Sequence, residues 1–274
     1  MPRKLGILAG AGDLPKRIIH SCRATGRDVF VIAFNGQTFP ETVSDVDHQW
    51  VRMGASGAAI KALKNAGVED LVMAGGVRRP SLASLMPDFR TIRFLIKAGF
   101  SSGDDRLLRA IVHELEAQEG FNIVGVDSLL PDEVASAGVL GTHIPDDQAR
   151  KDLVCAARAA REAGALDISQ GAVAQLGAVL AVEDASGTDA LLERAAKLKG
   201  DGPGGVLVKV KKPGQEHRVD LPAIGVSTVR AAAAAGLRGI GLEAGGALII
   251  DPPAVIEAAD KAGLFIIGID ALGQ

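Results

Sequence analysis

LAGAGDLPKRI, residues 8–18, decides the fold. It closes an apolar run, Leu5 to Ala9, with Gly10-Ala11-Gly12 and opens a pattern in which Leu14, Ile18 and Cys22 recur at helical spacing. A β-rich run feeding a glycine turn and an amphipathic helix is the βα unit of a parallel α/β sheet. The rhythm continues through Val29 to Ala33, Leu71 to Ala74 and Asn122 to Val126, with a helical pattern at Leu107, Leu108, Ile111 and Leu115. A Rossmann-like parallel sheet is therefore expected over residues 1–130.

The opening turn raises the question of a dinucleotide. A dinucleotide fingerprint needs a third glycine for close helix packing and an acidic residue about twenty positions later for a ribose. Here the third position is Pro15, and the second run ends in Phe34-Asn35-Gly36 with no acid. Asp13 sits where it would cap the helix, a charge that suits the helix dipole but repels a bare pyrophosphate. An NAD(P)-linked oxidoreductase is disfavoured, and two readings stand: a capped structural turn, or a turn that holds part of another ligand.

From Leu130 to Thr142 the pattern lapses into LPDEVASAGVLGT, and a long helix follows over roughly Asp147 to Ala163. Residues 131–165 are read as a linker and connecting helix. Residues 166–274 are read as a second, mixed α/β domain, with a ligand site expected in a cleft between the two. Its strands are expected at Ala172 to Val182, Val206 to Val210, Gly239 to Leu242, Ala247 to Ile250 and Phe265 to Ile269. Its helices are expected near Asp189 to Lys199, Ser227 to Ala235 and Pro253 to Ala262.

Composition narrows the function. With 274 residues, 47% of them apolar, the chain can bury one large core or two ordinary ones. A net charge of −3 gives no general attraction to nucleic acid, so any phosphate recognition must be local. The two cysteines, Cys22 and Cys155, stand far apart within helical patterns and read as reduced thiols of a cytoplasmic protein. Neither a signal peptide nor a membrane-spanning run is recognisable. The five histidines lack zinc-site spacing, and no nucleophile elbow or Walker loop occurs.

Ionisable residues gather with glycine at the expected ends of elements, where α/β folds place ligands. MAGGVRRPS follows a strand, so Gly75 and Gly76 admit close approach while Arg78 or Arg79 offers a phosphate clamp, unless this is a surface turn with solvated arginines. SSGDDRLL sets Asp104 and Asp105 at a helix start, where one is explained by capping and the other is left to face a ligand hydroxyl or a metal. AVEDASGTDALL surrounds Gly187 and Thr188 with Glu183, Asp184 and Asp189, enough carboxylate for Mg²⁺ shared with a diphosphate. There Thr188 as a helix cap is the competing explanation. KVKKPGQEHRVDLPAIG brings Lys209, Lys212 and Arg218 near Asp220, cations that keep the carboxylate ionised for metal or water. GLEAGGALIID adds Glu243 and Gly245 at another strand end. DFRTIRFLIKAGF, residues 88–100, alternates apolar residues with Arg90, Arg93 and Lys97, as a helix lying on a membrane or lining an acyl groove does, or one packed on a core.

In their order, LAGAGDLP, AGGVRRP, GDDRLLRAIVHELE, VEDASGTDALL, KKPGQEHRVDLPAIGVSTV and LEAGGALIIDPPAVIEAADKAGLFIIGID resemble the LpxI-type UDP-2,3-diacylglucosamine pyrophosphatases over essentially the whole chain. The resemblance implies Mg²⁺-dependent hydrolysis of UDP-2,3-diacylglucosamine to lipid X and UMP in the lipid A pathway of Gram-negative bacteria. It implies an essential aspartate at Asp220, and leads us to expect a hydroxyl residue where this chain has Ala223. It places Gly10, Gly12, Asp13, Gly75, Gly76 and Gln170 around the nucleotide or sugar, and leaves room for transient contact with the inner membrane and for a homodimer. Asp220 as metal ligand and Asp220 as base both remain open, and a non-catalytic nucleotide or lipid carrier is the rival from another class.

Overall fold

The computed structural model describes residues 2–77, 86–98, 104–270 and 273. Arg78, Arg79 and the side chains of Asp104 and Asp105 lie outside the described residues. The chain divides into two compact units, Met1–Pro131 and Asp132–Gln274.

The first unit holds a five-stranded, wholly parallel sheet in the order β3-β2-β1-β4-β5. Its strands are β1 (Leu5–Ala9), β2 (Val29–Phe34), β3 (His48–Val51), β4 (Asp70–Ala74) and β5 (Asn122–Ile123). Leu5, Ile7, Ala9, Ile32 and Leu71 are completely buried, as expected of parallel strands covered on both faces. The helices are α1 (Leu14–Ala24), α2 (Ser56–Asn65), α3 (Phe89–Ala98), α4 (Asp104–Ala117) and the single turn α5 (Val126–Leu129). Pro15 stands in the first turn of α1, where no intrahelical partner awaits its missing N–H. Strand β3 escaped the sequence reading because three of its four residues are exposed, so no apolar run announces it.

The second unit is built on a six-stranded mixed sheet, β6-β13-β11-β9-β7-β8, with a two-stranded ribbon of β10 (Ala223–Ile224) and β12 (Leu248–Ile249). Strands β9 (Val206–Lys209), β11 (Gly239–Glu243) and β13 (Phe265–Ile269) run parallel. Strands β6 (Gly138–Val139), β7 (Gly171–Gln175) and β8 (Ala178–Val182) make antiparallel pairs. Helix α6 (Asp147–Ala165) covers one face. Helices α7 (Gly187–Leu198), α8 (Val226–Ala234) and α9 (Pro252–Ala262) cover the other.

The structure departs from the sequence expectations at two elements. The long strand expected over Ala172 to Val182 is a hairpin, because Leu176 (φ 52°) and Gly177 (φ 80°) both enter the left-handed region that a two-residue turn demands. Asp152, fully buried on α6, accepts the Gly177 N–H at 2.7 Å and pins that turn. Helix α6 itself, read as a connector, is a layer of the second unit: Ala149, Leu153, Ala156, Ala157 and Ala160 are buried against the sheet. Its alanine-rich face hid a full core contribution from a reading tuned to large apolar residues.

Candidate active site

In a parallel sheet, ligand sites form beyond the carboxyl ends of the strands, where neighbouring strands send their chains in opposite directions. The first unit has that switch between β1 and β4. There the two following turns are zipped together by backbone, with Ala11 N–H to Gly76 O at 2.7 Å and Gly76 N–H to Ala11 O at 3.0 Å. A Cβ on Gly10 would lie 2.5 Å from Gly76 O, and one on Gly75 (φ 91°) 2.5 Å from Ala11 O. Gly10 and Gly75 are therefore glycines for chain-to-chain contact. A Cβ on Gly12 or Gly76 would meet nothing within 4 Å among the described residues, which leaves room there for a ligand. Asp13 takes the capping position of α1 but makes no side-chain cap bond, and its carboxylate stays exposed.

The second unit collects its charged residues where β9 and β11 end. Lys209, 4% exposed, donates to Thr188 Oγ1 at 2.7 Å and lies 3.6 Å from Glu183. Thr188 in turn donates to Glu183 Oε1 at 2.6 Å. Thr188 is thus no helix cap; Ser186 holds that place, and the threonine links a buried ion pair. The pair closes over Gly171, whose absent Cβ would meet Glu183 Oε2 at 2.9 Å, and that oxygen is buried without a hydrogen bond among the described residues. Lys209 also reaches the Ala223 carbonyl at 3.5 Å.

Asp184 serves the turn into α7, accepting from the Ser186 N–H at 2.8 Å and its hydroxyl, and pairing with Arg194 at 3.1 Å. The Ser186 hydroxyl bond is the main cause that holds its carboxyl below the usual aspartate range. Asp189 is exposed in the first turn of α7, favourable to the helix dipole, and Gly187 (φ 84°) provides the left-handed turn before it. Glu243, buried, accepts from the Lys211 N–H at 3.0 Å and pairs with Lys211 Nζ at 3.3 Å. Gly245 (φ 69°) turns the chain just beyond it. Gln170 anchors β9 by accepting the Val210 N–H at 2.9 Å, while its side-chain Oε1 is buried without a partner among the described residues.

The loop from Lys211 to Pro222 carries Asp220. Gln215, which the sequence reading passed over, accepts the Lys212 N–H at 2.9 Å and donates its amide to Asp220 Oδ2. A side-chain amide can accept and donate at once, so it joins the two ends of this loop. Its position inside the charged run was the available signal. Lys212 Nζ pairs with Asp167 at 3.0 Å, and Arg218 grips Glu216 through two bonds of 2.8 and 2.9 Å. The Arg218 hydrogen bonds, before all other influences, hold the Glu216 carboxyl below its ordinary value. Lys212 and Arg218 are thus each matched to a carboxylate.

Two family models cover this architecture, the LpxI N-terminal domain over residues 4–133 and the LpxI C-terminal domain over residues 136–267. The chain belongs to the LpxI family. A curated LpxI relative from Caulobacter vibrioides (strain ATCC 19089 / CIP 103742 / CB 15), UDP-2,3-diacylglucosamine pyrophosphatase LpxI, is 42% identical over 98% of both chains. The loop of Asp220 and the Lys209 cluster both lie within the LpxI C-terminal domain, as does all of α6. A solved structure, CobK precorrin-6A reductase, covers 98% of this chain and 88% of its own at a TM-score of 0.33 and 15% identity, too distant to bear on fold or function.

Proposed function

We propose that this protein hydrolyses the diphosphate of UDP-2,3-diacylglucosamine to lipid X and UMP in lipid A biosynthesis, with Mg²⁺. The observation that carries this reading is the 42% identity, over 98% of both chains, to a curated pyrophosphatase of that name. A two-chained lipid substrate resides in a bilayer, so the reading puts the work at the inner face of the inner membrane, by peripheral contact. No helix among the described residues is long and apolar enough to cross a membrane.

Mg²⁺ binds through one or two carboxylates together with substrate phosphate oxygens, so a large protein cage is not required. Among the described residues no three His, Cys, Asp or Glu side chains gather as a metal group. Glu183 is committed to an ammonium and a hydroxyl, and Asp184 to Arg194 and Ser186, so neither fits a dication without breaking its pairing. Asp220, which accepts a hydrogen bond from the Gln215 amide, is the carboxylate this reading gives to the metal. When bound, the metal supplies charge neutralisation at the diphosphate. Asp220 would hold the ion or take the proton of the attacking water, and Lys212 and Arg218 would turn from Asp167 and Glu216 to phosphate oxygens. Gly12, Gly76 and Asp13 would receive the nucleotide or sugar.

The test is Asp220→Ala. Turnover should fall by about three orders of magnitude or more while the circular dichroism spectrum and substrate binding persist. Full activity in that variant, or its failure to fold, removes Asp220 from the chemistry.

A further inference from the structure

Helix α3 has a face that the catalytic reading leaves without a task. Its inner side is fixed: Asp88 Oδ1 accepts the Thr91 N–H at 2.7 Å, and Asp88 Oδ2 accepts the Gly57 N–H of α2 at 2.9 Å. Thr91, buried, donates to Gly54 O at 2.7 Å. At about 100° of rotation per residue, Phe89, Ile92 and Ile96 fall within about 60° of one another on the opposite side. They are 82%, 43% and 78% exposed, and Met86 just ahead of the helix is 63% exposed. Soluble monomers seldom leave such a run of large apolar side chains in water without a use for it.

Charge selects the occupant. Residues 89–98 include three basic residues and no acidic one. Arg90 ties the helix down through Glu114 at 3.8 Å and through Glu119. Arg93, beside the apolar stripe, is exposed and makes no ion pair among the described residues. A second copy docking face to face would bring arginine against arginine, which is unfavourable. An apolar stripe edged by a free cation matches the headgroup boundary of an anionic bilayer, where apolar side chains sink below the phosphates and cations stay among them.

We infer that α3 is the docking surface for an anionic lipid bilayer, with Phe89, Ile92 and Ile96 inserted and Arg93 at the lipid phosphates. This deepens the lipid-substrate reading by naming the face that meets the membrane, and its test needs no substrate. The full chain is sedimented with vesicles of phosphatidylglycerol and phosphatidylcholine, and with vesicles of phosphatidylcholine alone, at low and high salt. Binding should favour the anionic vesicles and weaken as salt screens it. The double variant Phe89→Ser/Ile96→Ser, with unchanged circular dichroism, should lose at least about tenfold in partitioning. Arg93→Gln should lose most of the preference for phosphatidylglycerol. Absence of binding to anionic vesicles, or undiminished binding of the double variant, overturns the inference. So does a double variant that binds vesicles normally but changes from dimer to monomer in light scattering, since the stripe would then be an interface between copies. Vesicle binding without any pyrophosphatase turnover would uphold the docking surface and defeat the catalytic reading, so the two failures are separable.

Discussion

Lys209 and Glu183 sit 5% and 8% exposed in their side chains, 3.6 Å apart, with Thr188 bridging them. Removing one partner of a buried pair leaves a charge without its counterion, which costs about 3–5 kcal/mol, more than the pair itself contributes. Lys209→Met should therefore destabilise the protein strongly in urea unfolding, and adding Glu183→Gln should recover a large part of the loss. A single variant within about 1 kcal/mol of the parent would mean that the cluster is solvated and not buried. The residue types at this cluster were legible in the sequence, but their partners were not. Glu183, Asp184 and Asp189 read alike as carboxylates near a helix start, and only the chain path sends Glu183 inward to a lysine and leaves Asp189 in water. Lys212 and Arg218 likewise showed their charge in the sequence but not their commitments to Asp167 and Glu216.

At the scale of elements, the β1 and β4 turns touch so closely that Gly10 and Gly75 have no room for a methyl group, whereas Gly12 meets only open space. Gly10→Ala and Gly75→Ala should each push the Ala11–Gly76 backbone pair apart and lower the thermal midpoint sharply. Gly12→Ala should cost only about 1 kcal/mol for its left-handed φ. Equal loss in all three, measured by thermal unfolding, would contradict the zipped turn. Strands β1 and β13 stand where their apolar runs placed them, because fully buried parallel strands write themselves as continuous apolar sequence. The β7–β8 hairpin did not, since its turn depends on Leu176 accepting a positive φ that its side chain gives no reason to expect. The same limit applies to β3, whose exposed residues give no periodic signal.

For the whole molecule, both core clusters of the second unit draw only on residues after Pro131. A fragment of residues 132–274 should therefore unfold cooperatively by itself, and a fragment of residues 166–274, which lacks α6, should not. Five buried residues of α6, Ala149 to Ala160, supply the cover for one face of that sheet. Cooperative unfolding of the shorter fragment, followed by circular dichroism, would return α6 to the role of a connector. The two-domain division and the parallel first sheet were readable from alternating patterns, while the place of α6 depended on alanine packing that no periodicity measures. One assay decides the chemistry: purified protein is incubated with UDP-2,3-diacylglucosamine, with Mg²⁺ or with a chelator, while UMP and lipid X are followed. The hydrolase reading predicts equal release of both products with Mg²⁺, none with the chelator, and from Asp220→Ala with Mg²⁺ at most about a thousandth of the parent's rate. Substrate recovered intact but bound to the protein would contradict it and make this chain a carrier of the same lipid.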